Sequence, residues 1–249
     1  MELTELQQRI ITHAHSLIET NGITSFRFSE LATIAGCSKS TLYQLFPTKE
    51  DLLCWIAISN VNDIIAYAES IADNPNLSWR EKILSKVMFD IVRSWYATVP
   101  HLCLSFVIAN RYVLEHACND TISHLQKNFA HIQRCNQHLW HGAVIAGDLD
   151  CSDEEIIYVN KLLHIFQRGA VSVGMNELMR RAGFHIHCLE LLTECDLLLE
   201  RLNWHDTPAR TELILAGLLH DLAISTEQQT MICQDPLRDE QIAPSMGDG

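Results

Sequence analysis

Phe28-Ser29-Glu30-Leu31-Ala32-Thr33-Ile34-Ala35, Gly36-Cys37-Ser38 and Lys39-Ser40-Thr41-Leu42-Tyr43-Gln44-Leu45-Phe46 are the residues whose reading decides the fold. Phe28, Leu31, Ala32 and Ala35 recur at helical spacing, and Leu42, Leu45 and Phe46 do the same after the break. Two short helices with one apolar face each must pack across one another. Ala32 permits a close crossing, and Gly36 permits a backbone turn that a Cβ would oppose. Ser38 can cap the second helix, leaving its first amides and the side chains of Lys39 and Ser40 directed outward. Thr41, Tyr43 and Gln44 extend from or near that exposed side. Gln44 has the amide that pairs with adenine in two hydrogen bonds, and Tyr43 and Thr41 can donate to phosphate or meet a thymine methyl. Lys49 could add a phosphate contact from the flank.

Working outward, the spacing of Leu6, Ile10, Ala14, Leu17 and Ile18 predicts a helix over about 3–21, ended by Gly22. Thr48, with Asp51 three residues on, predicts the start of a long helix over 49–72. Ser78-Trp79-Arg80-Glu81 opens another that reaches about Tyr96. Helices are then expected over about 101–110, 120–146, 152–179 and 185–202, the third capped by Ser152 and Glu155. Thr207-Pro208 predicts a final helix to about Ile224. No stretch reads better as strand. The expected fold is all-α: a three-helix DNA-binding unit with a helix-turn-helix over 1–47, a larger helical effector-binding and dimerisation domain over 48–226, and a flexible tail over 227–249.

Composition restrains the functional reading. Acidic residues number 31 against 18 basic ones, a formal charge of −13, which would repel a polyanion unless the positive field were local. Over 25–50, however, Arg27, Lys39 and Lys49 face only Glu30 and Glu50. Nine cysteines in 249 residues is not the density of a disulfide scaffold, so reduced thiols are expected. No 18-residue apolar run is present, and Met1-Glu2-Leu3-Thr4-Glu5 has no secretion-signal character, so a cytoplasmic protein with no membrane partner is the expectation.

The motif pattern resembles a known family. Gly22-Ile23, Leu31-Ala32, the run Ala35 to Tyr43 and the run Phe46 to Leu53 are similar to the signature of the TetR/AcrR transcriptional regulators, across about 10–55. The resemblance implies that Lys39, Ser40, Thr41, Tyr43 and Gln44 lie on or beside the recognition helix, with Tyr43 and Lys49 at positions that touch the DNA backbone. Cys37, Ser40 and Phe26-Arg27 depart from the common pattern. The last removes the usual hydroxyl cap of the second helix, and Arg27 either offers a charged phosphate contact in its place or is a solvated arginine.

A reading unit this small contacts too few base pairs to select an operator alone, so a homodimer on a palindromic operator in double-stranded DNA is expected. Candidate interface segments are 152–179 and 185–202, through Gly169, Ala170, Ser172, Gly174, Leu189, Leu192 and Leu199. The resemblance implies a repressor whose body holds a small-molecule effector, and the apolar content suggests a hydrophobic or amphipathic one. Trp55, Trp79, Phe89, Trp95, Tyr96, Phe106, Phe129 and Phe166 are the candidate lining, although each also reads as core.

His124, His131, Cys135 and His138 share one side of a long helix, and His131/Cys135 is the one close pair. Structural or surface histidines explain the stripe, so neither metal nor cofactor is expected. A metal- or redox-sensing regulator of the same fold is the alternative. No phosphate loop, His-Glu-x-x-His segment or nucleophile elbow is present, which points away from an enzyme. A non-enzymatic helical interaction protein is the alternative from another class.

Overall fold

A computed structural model describes residues 3–23, 25–96, 110–184, 186–205, 208–225 and 229. All but the last residue of the expected helix over 101–110, Phe106 and all but one residue of the tail lie outside them. Two compact units are formed, one from Met1–Asn74 and Val99–His141, the other from Pro75–Thr98 and Gly142–Gly249.

The first unit holds α1 (Glu5–Asn21), α2 (Phe28–Ile34), α3 (Lys39–Leu45), α4 (Lys49–Ala72), α6 (Arg111–His116) and most of α7 (Asn119–Ala146). Thr4 caps α1, accepting from the Gln7 N–H while Gln7 accepts in return, and Gly22 at φ 78° ends it. Ile10, Ile11 and Ala14 of α1 are fully buried, with Leu31 and Ala32 of α2 and Leu42 and Phe46 at α3. Each large apolar side chain so buried stabilises the unit by about 1.5–3 kcal/mol. The expected box at α4 is present: the Thr48 hydroxyl accepts from the Asp51 N–H at 3.0 Å, and Asp51 Oδ2 accepts from the Thr48 N–H at 3.1 Å. Asp51 is buried, and its other oxygen accepts from the Cys118 N–H at 2.8 Å, tying α4 to the segment entering α7. Helix α6, which Asn110 caps through the N–H groups of Tyr112 and Val113, was not expected from the sequence. At six residues it is too short to show a periodic face.

The second unit is built on α5 (Trp79–Tyr96), with α8 (Asp153–Gly174), α9 (Glu177–Arg181), α10 (Cys188–Leu199) and α11 (Thr211–Asp221). Helix α5 packs against α8, α10 and α11. Every residue from Arg80 to Arg93 is buried, including Arg80, Glu81, Lys82, Lys86, Asp90 and Arg93. Buried charges must be paired. Arg80 Nε donates to Asp196 of α10 at 2.6 Å, Arg168 of α8 to Asp90 at 3.1 Å, and Gln167 Nε2 to the Val87 carbonyl at 3.0 Å. Trp79 and Trp95 lie against the backbones of Gly142 and Gly174, where a Cβ would strike either ring.

Three expectations are corrected here. The segment 152–179 is not one helix: α8 stops at Gly174, and the Asn176 side chain accepts from the N–H groups of Leu178 and Met179, starting the separate α9. Thr207 lies outside the described residues, and the last helix begins at Thr211 rather than at Pro208, because Glu81 Oε1 takes the N–H of Arg210 at 3.0 Å and its guanidinium at 2.7 Å. That tertiary contact sets the helix entry. Strand is also present: β1 (Leu149–Asp150) and β2 (Asn203–Trp204) pair antiparallel, Leu149 opposite Trp204. Two-residue strands are too short for alternation to reveal them.

A candidate nucleic-acid interface

The turn between α2 and α3 is closed locally. Gly36 sits at φ 68°, in the left-handed region open to glycine, and the Cys37 N–H donates to the Ala32 carbonyl at 3.0 Å. Arg9 of α1 donates from Nε to the Ala35 carbonyl at 3.2 Å, placing a cation at the end of α2 where helix carbonyls accumulate negative charge. Its role was not legible in the sequence, because the contact spans 26 residues. Ser38 caps α3 as expected, its Oγ accepting from the Thr41 N–H at 3.0 Å.

Lys39, Ser40, Tyr43 and Gln44 are exposed on α3, with Leu42 fully buried on the opposite face. Tyr43 is 52% exposed, and its ring rests 5.1 Å from that of Phe28, which holds the phenol outward. Thr41 is half-buried, its hydroxyl 2.8 Å from that of Ser38. The hydroxyl thus serves the cap. Arg27 is exposed at the N-cap of α2 and makes no side-chain cap. Lys49 differs from the others. Its ammonium lies over the Phe26 ring at 4.1 Å and donates to the Phe26 carbonyl at 3.4 Å, and burial lowers its pKa against the opposing pull of Glu50. Phe26 itself is buried under this contact, so its departure from the family pattern has a structural use.

The expected effector residues divide between the units. Trp55 and Phe129 belong to the first, where Trp55 is buried with its ring 5.4 Å from that of His124. Trp79, Phe89, Trp95, Tyr96 and Phe166 belong to the second, where the Trp95 and Tyr96 rings meet edge-on at 6.2 Å. Phe89 is core, under the Arg93 guanidinium. A surface hollow of about 350 Å³ between Ser152, Tyr158 and Leu202 involves none of them.

The interface candidates also separate. Ala170, Leu192 and Leu199 are buried within the second unit, and Gly174 receives the Trp95 ring. Gly169, Ser172 and Leu189 are exposed. Beside them stand outward apolar side chains that spacing did not single out: Ile157 and Ile165 on α8, Leu197 on α10 and Leu213 on α11. Among the described residues, no disulfide joins the cysteines. Burial first, then nearby carboxylates, pushes Cys54 and Cys195 up to about 12, unsuited to redox sensing, which needs a stabilised thiolate. No described helix is long and apolar enough to cross a membrane.

Residues 10–54 match the family model of bacterial regulatory proteins, tetR family. No curated protein matches the chain. Solved structures with a similar fold include a tetR-family regulatory protein from Rhodococcus RHA1, 15% identical, covering 82% of this chain and 100% of that one at a TM-score of 0.57. A TetR transcriptional regulator from Legionella pneumophila is 20% identical, with 90% of this chain and all of that one covered at 0.52. RolR in complex with resorcinol is 15% identical, with coverage of 84% and 92% at 0.51. At these identities the likeness shows the fold, an N-terminal helix-turn-helix followed by a helical body. The matched segment contains the whole of α2, the turn and α3 with their outward polar side chains, so residues 10–54 form a helix-turn-helix segment of the kind found in bacterial regulatory proteins of the tetR family.

Proposed function

We propose that this chain is a ligand-responsive repressor that binds a palindromic operator as a homodimer, with 1–47 as the reading head and 48–226 as the effector-binding and dimerisation body. The observation that carries the reading is α3, capped by Ser38 and anchored by fully buried Leu42, with Lys39, Ser40, Tyr43 and Gln44 turned outward. Gln44 reads a base edge, while Lys39, Tyr43 and Arg27 hold phosphates. Lys49 is then a brace for Phe26 as much as a phosphate contact.

The dimer is supported by the apolar side chains outward on α8 and α11. Ile165, Gly169 and Ser172 recur at helical spacing on α8, as do Leu213, Ala216 and Gly217 on α11, and all are exposed. Apolar stripes with small residues are suited to close helix pairing between copies. The effector is a small apolar or amphipathic molecule taken up by the body, and RolR, of similar fold, holds resorcinol. Cytoplasmic residence and a non-enzymatic mode of action belong to the same reading. An effector would act by changing the geometry of the two heads, so that both half-sites are no longer engaged together.

Selection of bound fragments from random and genomic DNA, with protein whose mass is measured in solution, tests this. A recovered palindrome, bound by two chains and losing affinity steeply as salt rises, is the expected result. A monomer under conditions of binding, or failure of a folded dimer to enrich any site, would overturn it.

A further inference from the structure

Glu69 stands near the C-terminal end of α4, and His131 and Cys135 stand one turn apart on α7, all within the first unit. A carboxylate oxygen, an imidazole nitrogen and a thiol sulfur are brought within 4.8 Å of one another. His131 Nε2 is 3.1 Å from Glu69 Oε1. The placement follows from how the two helices are joined. Asp51 accepts from the Cys118 N–H, the Trp55 ring meets that of His124, and Asn128 donates to Asn62 at 2.6 Å, so the contacts climb both helices in the same direction. Glu69 and the His131/Cys135 pair are the next step of that ladder.

We infer that these three side chains form a binding site for a zinc-class divalent cation. Tetrahedral zinc holds nitrogen and oxygen at about 2.0–2.2 Å and sulfur at about 2.3 Å, so its ligand atoms stand roughly 3.3–3.8 Å apart. The observed cluster reaches that spacing by small side-chain rotations. Hard magnesium or calcium would not choose a thiol and an imidazole, whereas zinc and its neighbours bind sulfur, nitrogen and oxygen together. The side chains of Glu69 and His131 are 58% and 43% exposed, which leaves an entry path and a fourth position for water. As an exposed ion pair Glu69 and His131 would contribute little stability. As ligands they join two helices. On binding, the Cys135 thiol loses its proton to solvent, and the His131 lone pair at Nε2 turns to the metal while its proton resides at Nδ1. Sequence spacing showed only the His131/Cys135 pair; the third ligand comes from a residue 62 positions away and needed the fold. The site stands on its own geometry, whether or not the chain binds an operator.

Cobalt(II) titrated into the full-length reduced protein tests it, since a cobalt–thiolate bond gives a near-ultraviolet charge-transfer band and a tetrahedral site gives intense visible bands. One equivalent should produce both, and zinc(II) should displace them. Cys135→Ser should abolish the charge-transfer band although eight other cysteines remain. Outer-sphere partners alone alter metal affinity about 10–100-fold, so Glu69→Gln and His131→Gln should each weaken zinc binding at least about tenfold, with helicity unchanged by circular dichroism. Absence of the bands, or their persistence at full strength in Cys135→Ser, would overturn the site.

Discussion

Helices α3 and α5 both carry charged and polar residues, yet they use them in opposite ways. On α3, Lys39, Ser40, Tyr43 and Gln44 are exposed, while Leu42 underneath is fully buried. On α5, Arg80, Glu81, Lys82, Lys86, Asp90 and Arg93 are buried along with the apolar residues. Polar residues outside a helix face keep their hydration and remain available to a ligand. Those taken inside must find partners in the same chain, and α5 finds them in Asp196, Arg168 and Arg210. Polarity in a helix therefore marks function only when the opposite face explains the fold, as it does in α3.

The comparison is broken most severely by Arg80→Ala. Asp196 would be left buried without its guanidinium, a loss of about 3–5 kcal/mol expected for removing one member of a buried pair. Denaturant unfolding measures it. Replacing both members, Arg80→Met with Asp196→Leu, should recover most of the loss, because no charge then remains buried alone.

An effect of middle size comes from acid. Burial raises the pKa of Asp51, but hydrogen bonds from Cys118, Thr121 and Thr48 outweigh it, and the net value is lowered. At Glu81 burial is likewise outweighed by the Arg210 side chain and by the N–H groups of Ser78 and Arg210. A lowered folded value means that the stabilisation is complete above the unfolded carboxylate pKa of about 4 and is lost as pH falls through the folded values. Stability should fall steeply below about pH 4. Asp51→Asn should flatten that fall and cost about 1–3 kcal/mol at neutral pH, because the amide accepts fewer of the same hydrogen bonds. Denaturant midpoints across pH for both proteins check this.

On stability the smallest effect belongs to α3. Gln44→Ala should move the unfolding free energy by no more than about 0.5 kcal/mol, yet reduce discrimination at its operator position by about 1–3 kcal/mol. Thermal unfolding and quantitative binding on matched and mismatched sites separate the two. A large stability loss without change in base preference would return Gln44 to the scaffold and sharpen the contrast with α5 no further.

Much of the fold was legible because its signals are local. Thr48 with Asp51 and Ser152 with Glu155 each join residues three apart, and the caps formed as the spacing predicted. The start of α4 was set this way, and the periodic faces and the Gly36 break placed α2, the turn and α3 to within one residue. The signal failed where the controlling contact was distant. The entry of α11 depends on Glu81, 129 residues away from Arg210, and a proline at 208 outweighed nothing against that bond. Small residues on α8 were equally ambiguous: Gly169 faces solvent, whereas Gly174 makes room for Trp95. Glycine at helical spacing announces a close approach without saying to what.

By itself, then, the amino-acid order determined most of the long helices, the caps of α3, α4 and α8, the helix-turn-helix and the outward residues of α3, since each depends on periodicity or on atoms a few residues apart. Only the tertiary structure decided which charges are buried on α5, that Lys49 is occupied by Phe26, which apolar residues remain outside on α8 and α11, and that Glu69 joins His131 and Cys135. Those outcomes depend on which helix faces meet, and burial and pairing are properties of that meeting, carried by no single segment of the chain.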